Sequence, residues 1–220
     1  MTDQTQTPAD RLWGSPTEPA EKVQVATEAA GKTVVREPTP EPRDPIEALL
    51  DEPETMADRL FTEHEAMSGA QQYDTHVLAS AFEQVERFDR EAGQVDAEAL
   101  RQGRLVSAEL MAEWEVSAPA AKELSQELSR YNERLMLGNI PDDDVQERAR
   151  EVCDKDLRVA WGKHYEAKLE LARRTYRDAI ERAPWLEDIV EYAGAGNSVT
   201  VVMRFAEIGE RRARMGRRNG

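Results

Sequence analysis

The residues best suited to a chemical role are the six arginines of the C-terminal segment, Arg204, Arg211, Arg212, Arg214, Arg217 and Arg218. Residues 204–220 hold only two acids against these six bases. A guanidinium presents a fork of N–H donors that pairs with carboxylates and phosphates, and it keeps its proton at neutral pH. The pattern therefore predicts the binding of an anionic partner rather than catalysis.

Two kinds of partner fit these arginines. One is the phosphate backbone of a nucleic acid, and the other is an acidic patch on a protein. For any single arginine, a solvated position without a partner is the default. The whole chain has a net charge of −15, so its body repels polyanions and membrane surfaces, and any polyanion must meet the basic tail.

Other reactive residues give no catalytic or metal-binding pattern. The three histidines lie far apart and lack metal-ligand spacing: His64, His76 and His164. Cys153 stands among acids, which are expected to raise its pKa. Asp142–Asp144 follow a proline and suit a helix N-terminus better than a calcium loop. We predict no catalytic, cofactor-binding or metal-binding residue and no enzyme, although a site assembled from distant carboxylates stays open.

The composition divides the chain into three parts. Residues 1–54 contain eight of the eleven prolines and predict a disordered, acidic arm. Within this arm, Ile46, Leu49 and Leu50 are spaced for one turn of helix. Residues 55–183 predict a helical, self-associating body, and residues 184–220 a basic helix-turn-helix tail. Aromatic residues make up only 6%, so an elongated molecule is expected.

Apolar spacing of three and four predicts helices over residues 70–90, 96–114 and 117–138. A fourth helix is expected to run about 40 residues, to Arg182, with a length on the order of 60 Å. Gly162 marks a position where this helix could kink. No pair of strands is visible, so the predicted fold class is all-α.

The helix over residues 117–138 carries a candidate self-association seam, formed by Leu124, Leu128, Tyr131 and Leu135. Their spacing is that of a coiled coil. The seam covers only two heptads, so ordinary packing inside a helical bundle explains it equally well.

The tail begins at Pro184, which must break the preceding helix. A turn through Gly194, Gly196 and Asn197 is expected to join two short helices. The second starts after Ser198, although the β-branched run Val199–Val202 also fits a strand.

The single cysteine excludes an intrachain disulfide and suits a reducing compartment. The first residues lack the pattern of a signal peptide, and no apolar stretch is long enough to cross a bilayer. A cytosolic protein is expected.

The C-terminal residues also carry a resemblance. It rests on LRVAWGKHYEAKLELA (residues 157–172), the turn Gly194–Asn197 and the segment Phe205–Gly209. Over roughly the last 65 residues, the chain resembles small acidic head proteins of tailed bacteriophages, which act as capsid-assembly or scaffolding proteins. Ser198-Val199 departs from that pattern, because a proline is expected soon after the asparagine.

The resemblance implies an acidic, helical, self-associating protein in the host cytoplasm, held transiently inside the procapsid. It implies that the basic C-terminal helices bind the major capsid protein, with the six arginines as the contact residues. The residues themselves predict no cofactor and no membrane contact. A nucleic-acid-binding regulator and a minor virion component are the alternatives. Apolar Val199, Val201 and Val202 stand where a DNA-reading helix needs polar side chains, which weighs against the regulator.

Overall fold

The computed structural model describes residues 44–52, 67–92 and 96–219. These residues form helices and short turns with no strand element, which confirms the all-α prediction. The strand alternative for Val199–Val202 is therefore wrong. Predictions that fall on residues 1–43 and 53–66, including most of the expected disordered arm and His64, lie outside the described residues.

The described helices are α1 (Pro45–Asp51), α2, α3 (Ala97–Glu113), α4 (Ala118–Met136), α5 (Asp143–Trp161), α6 (Tyr165–Arg182), α7 and α8 (Val199–Asn219). In α2, the α-helical parts Ala70–Tyr73 and Ala79–Ala92 are joined by a π-helical turn, Asp74–Leu78. In α7, one turn of α-helix, Trp185–Glu187, continues as the π-helical turn Asp188–Tyr192.

The most extensive helix pair is α6 with α8. On α6, the buried positions include Ala172, Thr175 and Ala179, and on α8 they include Val202, Ala206 and Gly209. Small side chains let two helix backbones approach each other closely. This pair forms the centre of the fold, and the largest fully buried side chains around it include Tyr73, Tyr176, Phe205, Val190 and Val201.

The predicted continuous helix to Arg182 is wrong, because Gly162 ends α5. Its φ is +52°, and a 3-10 turn, Gly162–His164, leads into α6. The Tyr165 hydroxyl donates a hydrogen bond to Asp154, eleven residues earlier. In a straight helix the two residues would lie about 16 Å apart along the axis. The bend therefore returns α6 to the core and replaces the expected 60 Å rod.

The structure also changes the expected roles of the two ends. Within the predicted arm, one turn of helix was expected at Ile46, Leu49 and Leu50, and residues 45–51 form the seven-residue helix α1, which packs on α6. The tail was predicted to hold two short helices, yet the second, α8, is 21 residues long. Its buried residues share one core with the body, so the segment from residue 184 onward is not a separate unit.

Among the described helices, none combines the length and the apolar character that a membrane span requires.

Candidate protein-interaction surfaces

The predicted arginine cluster lies on α8, and most of its side chains are paired within the chain. Arg204 Nε donates to Glu123 Oε2 on α4 at 2.9 Å, and its Nη1 contacts Glu207. Partial burial opposes the charge of Arg204, but Glu207 and Glu123 outweigh that effect and raise the pKa of the guanidinium. Arg204 therefore holds α8 against α4 and is not a free contact residue.

Arg212 occupies a defined position between three helices. Its Nη1 lies 2.7 Å from Asp178 Oδ2 on α6, and its guanidinium stacks 4.7 Å from the centre of the Trp114 ring. A cation over an indole face adds an attraction that a carboxylate alone does not provide. Only about a third of the Arg212 side chain is exposed, so a partner could reach it only in part.

The remaining members of the cluster differ in exposure. Arg214 pairs with Glu210 at 2.8 Å, and Arg217 pairs with Asp51 of α1 at 2.8 Å. Arg211 is half-buried and lies close enough to Tyr73 to influence its hydroxyl. The side chain of Arg218 lies outside the described part of the chain. The acids that complement this cluster come from α1, α4, α6 and α8 itself.

The predicted turn is present. Gly194 has a φ of +86°, in the left-handed region that glycine adopts without strain, and a 3-10 turn, Ala195–Asn197, follows. Gly196 is buried, and Asn197 donates from its side chain to the Gln146 carbonyl on α5 at 3.4 Å. These three residues position the start of α8 against α5, which is a structural role.

The predicted self-association seam on α4 faces the interior of the same chain. Leu124 is buried in the main core, and Leu128, Tyr131 and Leu135 pack against it. Leu128 also lines a cleft of about 360 Å³ between α2, α3, α4 and Trp185. The seam is therefore engaged in intramolecular packing, the alternative that its spacing also allowed.

A second apolar stripe lies on α5, on a different side from its buried residues Cys153, Leu157 and Trp161. Val145, Val152 and Val159 are 46, 59 and 80% exposed. Their spacing of seven residues places them on one face, since seven residues make nearly two helical turns. Sequence reasoning missed this stripe, although the heptad spacing of three valines was visible. We call these three residues the valine stripe.

Helix α1 packs on a surface of α6 and α8 that is distinct from the main core. Ile46 and Leu49 are buried against Ala167 and Leu171. Glu52 follows α1 and accepts a hydrogen bond from Lys163 Nζ at 2.6 Å. That hydrogen bond from Lys163 holds the pKa of Glu52 below its usual value.

Among the described residues, no group of three or more His, Cys, Asp and Glu side chains could hold a metal ion. Cys153 is buried, and burial together with Asp154 and Asp156 raises the pKa of its thiol to about 12. His76 is exposed, and His164 lies 3.1 Å from Glu52.

Comparisons of the chain with protein-family models, with curated proteins and with solved structures found no match.

Proposed function

We propose that this protein is a bacteriophage capsid-assembly protein of the scaffolding type. It acts through reversible contacts with copies of itself and with the major capsid protein, in the host cytoplasm and transiently inside the procapsid, and it catalyses no reaction. The resemblance of the C-terminal residues to phage head proteins supports this proposal. The strongly acidic, all-α character of the chain agrees with it.

The observation that carries the proposal is the valine stripe. Three exposed valines at heptad spacing on one helix offer an apolar strip to a second helix. In an antiparallel pair of α5 helices centred on Val152, Val145 of one copy meets Val159 of the other. Arg148 then faces Asp156 of the second copy, since both lie four residues from Val152. Self-association through α5 replaces the seam on α4 as the proposed oligomer contact.

The coat-protein contact remains assigned to α8, with one modification. To bind these arginines, carboxylates of the coat protein must take the place of Asp178, Asp51 and the other acids that pair with them within the chain. Exposed ion pairs contribute little to stability, so such an exchange has a small cost for Arg217 and a larger one for the partly buried Arg204. Many weak contacts of this kind, repeated over an oligomer, give an assembly that is strong and still reversible.

The regulator alternative receives less support from the geometry. A DNA-reading helix presents its N-terminal residues to the major groove. At the start of α8, Ser198, Val201 and Val202 are buried in the core. The N-terminal turn of α8 would therefore have to separate from the core before these residues could contact DNA.

Co-expression with a candidate major capsid protein tests the proposal. We expect closed shells of uniform size by electron microscopy, and irregular shells with the double variant Val152→Asp/Val159→Asp. Particle composition before and after maturation separates a scaffold, which leaves, from a minor head component, which stays. Shells that form equally well without this protein, or tight salt-sensitive binding to duplex DNA in a gel-shift titration, would contradict the proposal.

A further inference from the structure

Helix α1 is an acidic amphipathic helix bound to the rest of the chain. Residues 44–52 contain four carboxylates and no base. The apolar residues Ile46 and Leu49, three apart, share one buried face. An isolated helix of seven residues is not stable in water. The contact with α6 and α8 therefore gives α1 its helical form.

The surface that receives α1 is complementary to it. Ala167 and Leu171 of α6, with Ala213 of α8 beside them, form its apolar floor. Lys163 and Arg217 stand at its edge and pair with Glu52 and Asp51 at 2.6 and 2.8 Å. We call the surface formed by these five residues the α6/α8 groove. An apolar floor with basic edges fits one chemical class of ligand, an amphipathic helix with acidic ends.

Two features make α1 exchangeable. Its apolar contacts form a cluster separate from the main core, so its departure leaves that core intact. Its ion pairs are exposed at the surface, with 74% of the Lys163 side chain and 57% of the Asp51 side chain accessible. Pairs of that kind hold an element only weakly.

We propose that the α6/α8 groove is a binding site for an acidic amphipathic helix of a partner protein, and that α1 occupies this site in cis until the partner displaces it. The inference goes beyond the capsid assignment, because it holds whichever protein supplies the helix. A second copy of this chain is a poor competitor. Its own α1 is tethered to its own groove, where the effective concentration is on the order of millimolar.

The test uses the full chain and a fluorescent peptide with the sequence of residues 44–52, DPIEALLDE, followed by fluorescence anisotropy at low salt. The variant Ile46→Asp/Leu49→Asp removes the apolar face of α1 and empties the groove. We expect it to bind the peptide at least about tenfold more tightly than the wild type, in which α1 competes. Leu137→Asp, an exposed leucine on another surface, is the matched control and should behave as the wild type.

Two further variants identify the site. Adding Lys163→Glu/Arg217→Glu to the emptied protein should weaken peptide binding about tenfold, because both cationic edges of the groove are reversed. Asp51→Lys/Glu52→Lys leaves the apolar face of α1 unchanged, turns both ion pairs into like-charge contacts that favour the departure of α1, and changes only exposed side chains. If circular dichroism shows that Ile46→Asp/Leu49→Asp loses more helix than α1 alone, this second variant replaces it in the binding test.

Three outcomes would overturn the proposal. Equal peptide affinity in the wild type and in both emptied variants would show that α1 does not compete for the site. No binding to either emptied variant would show that the groove does not take such a ligand. Wild-type self-association that both emptied variants lose would identify the α1 segment of a second copy as the occupant, in place of a partner protein.

Discussion

Gly209 of α8 lies so close to Thr175 of α6 that a Cβ at position 209 would stand 2.6 Å from Thr175 Oγ1. It would also stand 2.8 Å from the Leu171 carbonyl oxygen. Real Cβ atoms do not approach other atoms this closely, and the carbonyl belongs to a helix backbone that cannot move aside alone. The absence of a side chain at position 209 therefore sets the distance between α6 and α8, and through it the position of the arginines.

We expect Gly209→Ala to lower the free energy of unfolding by about 1–3 kcal/mol, because the added methyl group separates two packed helices. Gly216→Ala is the matched control on the same helix. A Cβ there meets no atom within 4 Å. This control should raise stability by about 0.5–1 kcal/mol through helix propensity alone. Urea unfolding of the two variants measures both effects, and equal stability of the pair would contradict the role of Gly209.

Thr175→Val is expected to stabilise the protein. The Thr175 side chain is almost fully buried, and its Oγ1 has no hydrogen-bond partner among the described residues. A buried hydroxyl without a partner loses its bonds to water, and valine keeps the same shape without that loss. Thermal and urea unfolding should show a gain of about 1 kcal/mol. Thr175→Ser keeps the hydroxyl, removes a methyl group and should destabilise. A loss of stability in Thr175→Val would mean that the hydroxyl has a partner.

Val152→Asp/Val159→Asp should abolish self-association while changing the free energy of unfolding by only about 0.5 kcal/mol or less, because both side chains are exposed. Sedimentation equilibrium measures the oligomeric state, and urea unfolding below the association concentration measures stability. Leu137→Asp, 55% exposed and outside the valine stripe, should leave association unchanged. An intact oligomer in the double variant would remove α5 as the contact.

Alkylation of Cys153 should be very slow in the folded protein. At pH 8 about one tenth of an ordinary thiol with a pKa of 9.0 is ionised, but only about one in ten thousand at a pKa of about 12. Iodoacetamide should therefore react at least about 1,000-fold more slowly than in denaturant. Rapid native labelling would contradict the burial of this residue.

The same thiol links stability to alkaline pH. Folding raises the pKa of the Cys153 thiol, so between pH 9 and 12 the thiol is ionised in the unfolded chain but neutral in the folded protein. Its contribution to the free energy of unfolding is therefore complete below pH 9 and is lost as the pH rises towards 12. The loss of unfolding free energy over that window should be smaller in Cys153→Ala than in the wild type. Parallel pH profiles of the two proteins would contradict the raised pKa.

Several helix limits could be predicted from local sequence because local interactions determine them. Apolar spacing placed α2, α3 and α4 within a few residues of their ends, and Pro184 broke the chain where expected. The turn at Gly194 was also predictable, since a positive φ favours glycine. Gly162 was ambiguous, because a glycine inside a periodic pattern is compatible both with a kink and with a complete stop.

The sequence by itself determined the fold class, the helical periodicity and the concentration of arginine at one end, since each depends on residues within a few positions of one another. Only the tertiary structure decided what those arginines contact. Arg204 meets Glu123, and Arg217 meets Asp51, across 81 and 166 residues of chain. Coulomb attraction depends on distance in space, and that distance is set by helix packing, such as the close approach at Gly209. For the same reason, the apolar positions of α4 turned inward and those of the valine stripe stayed at the surface.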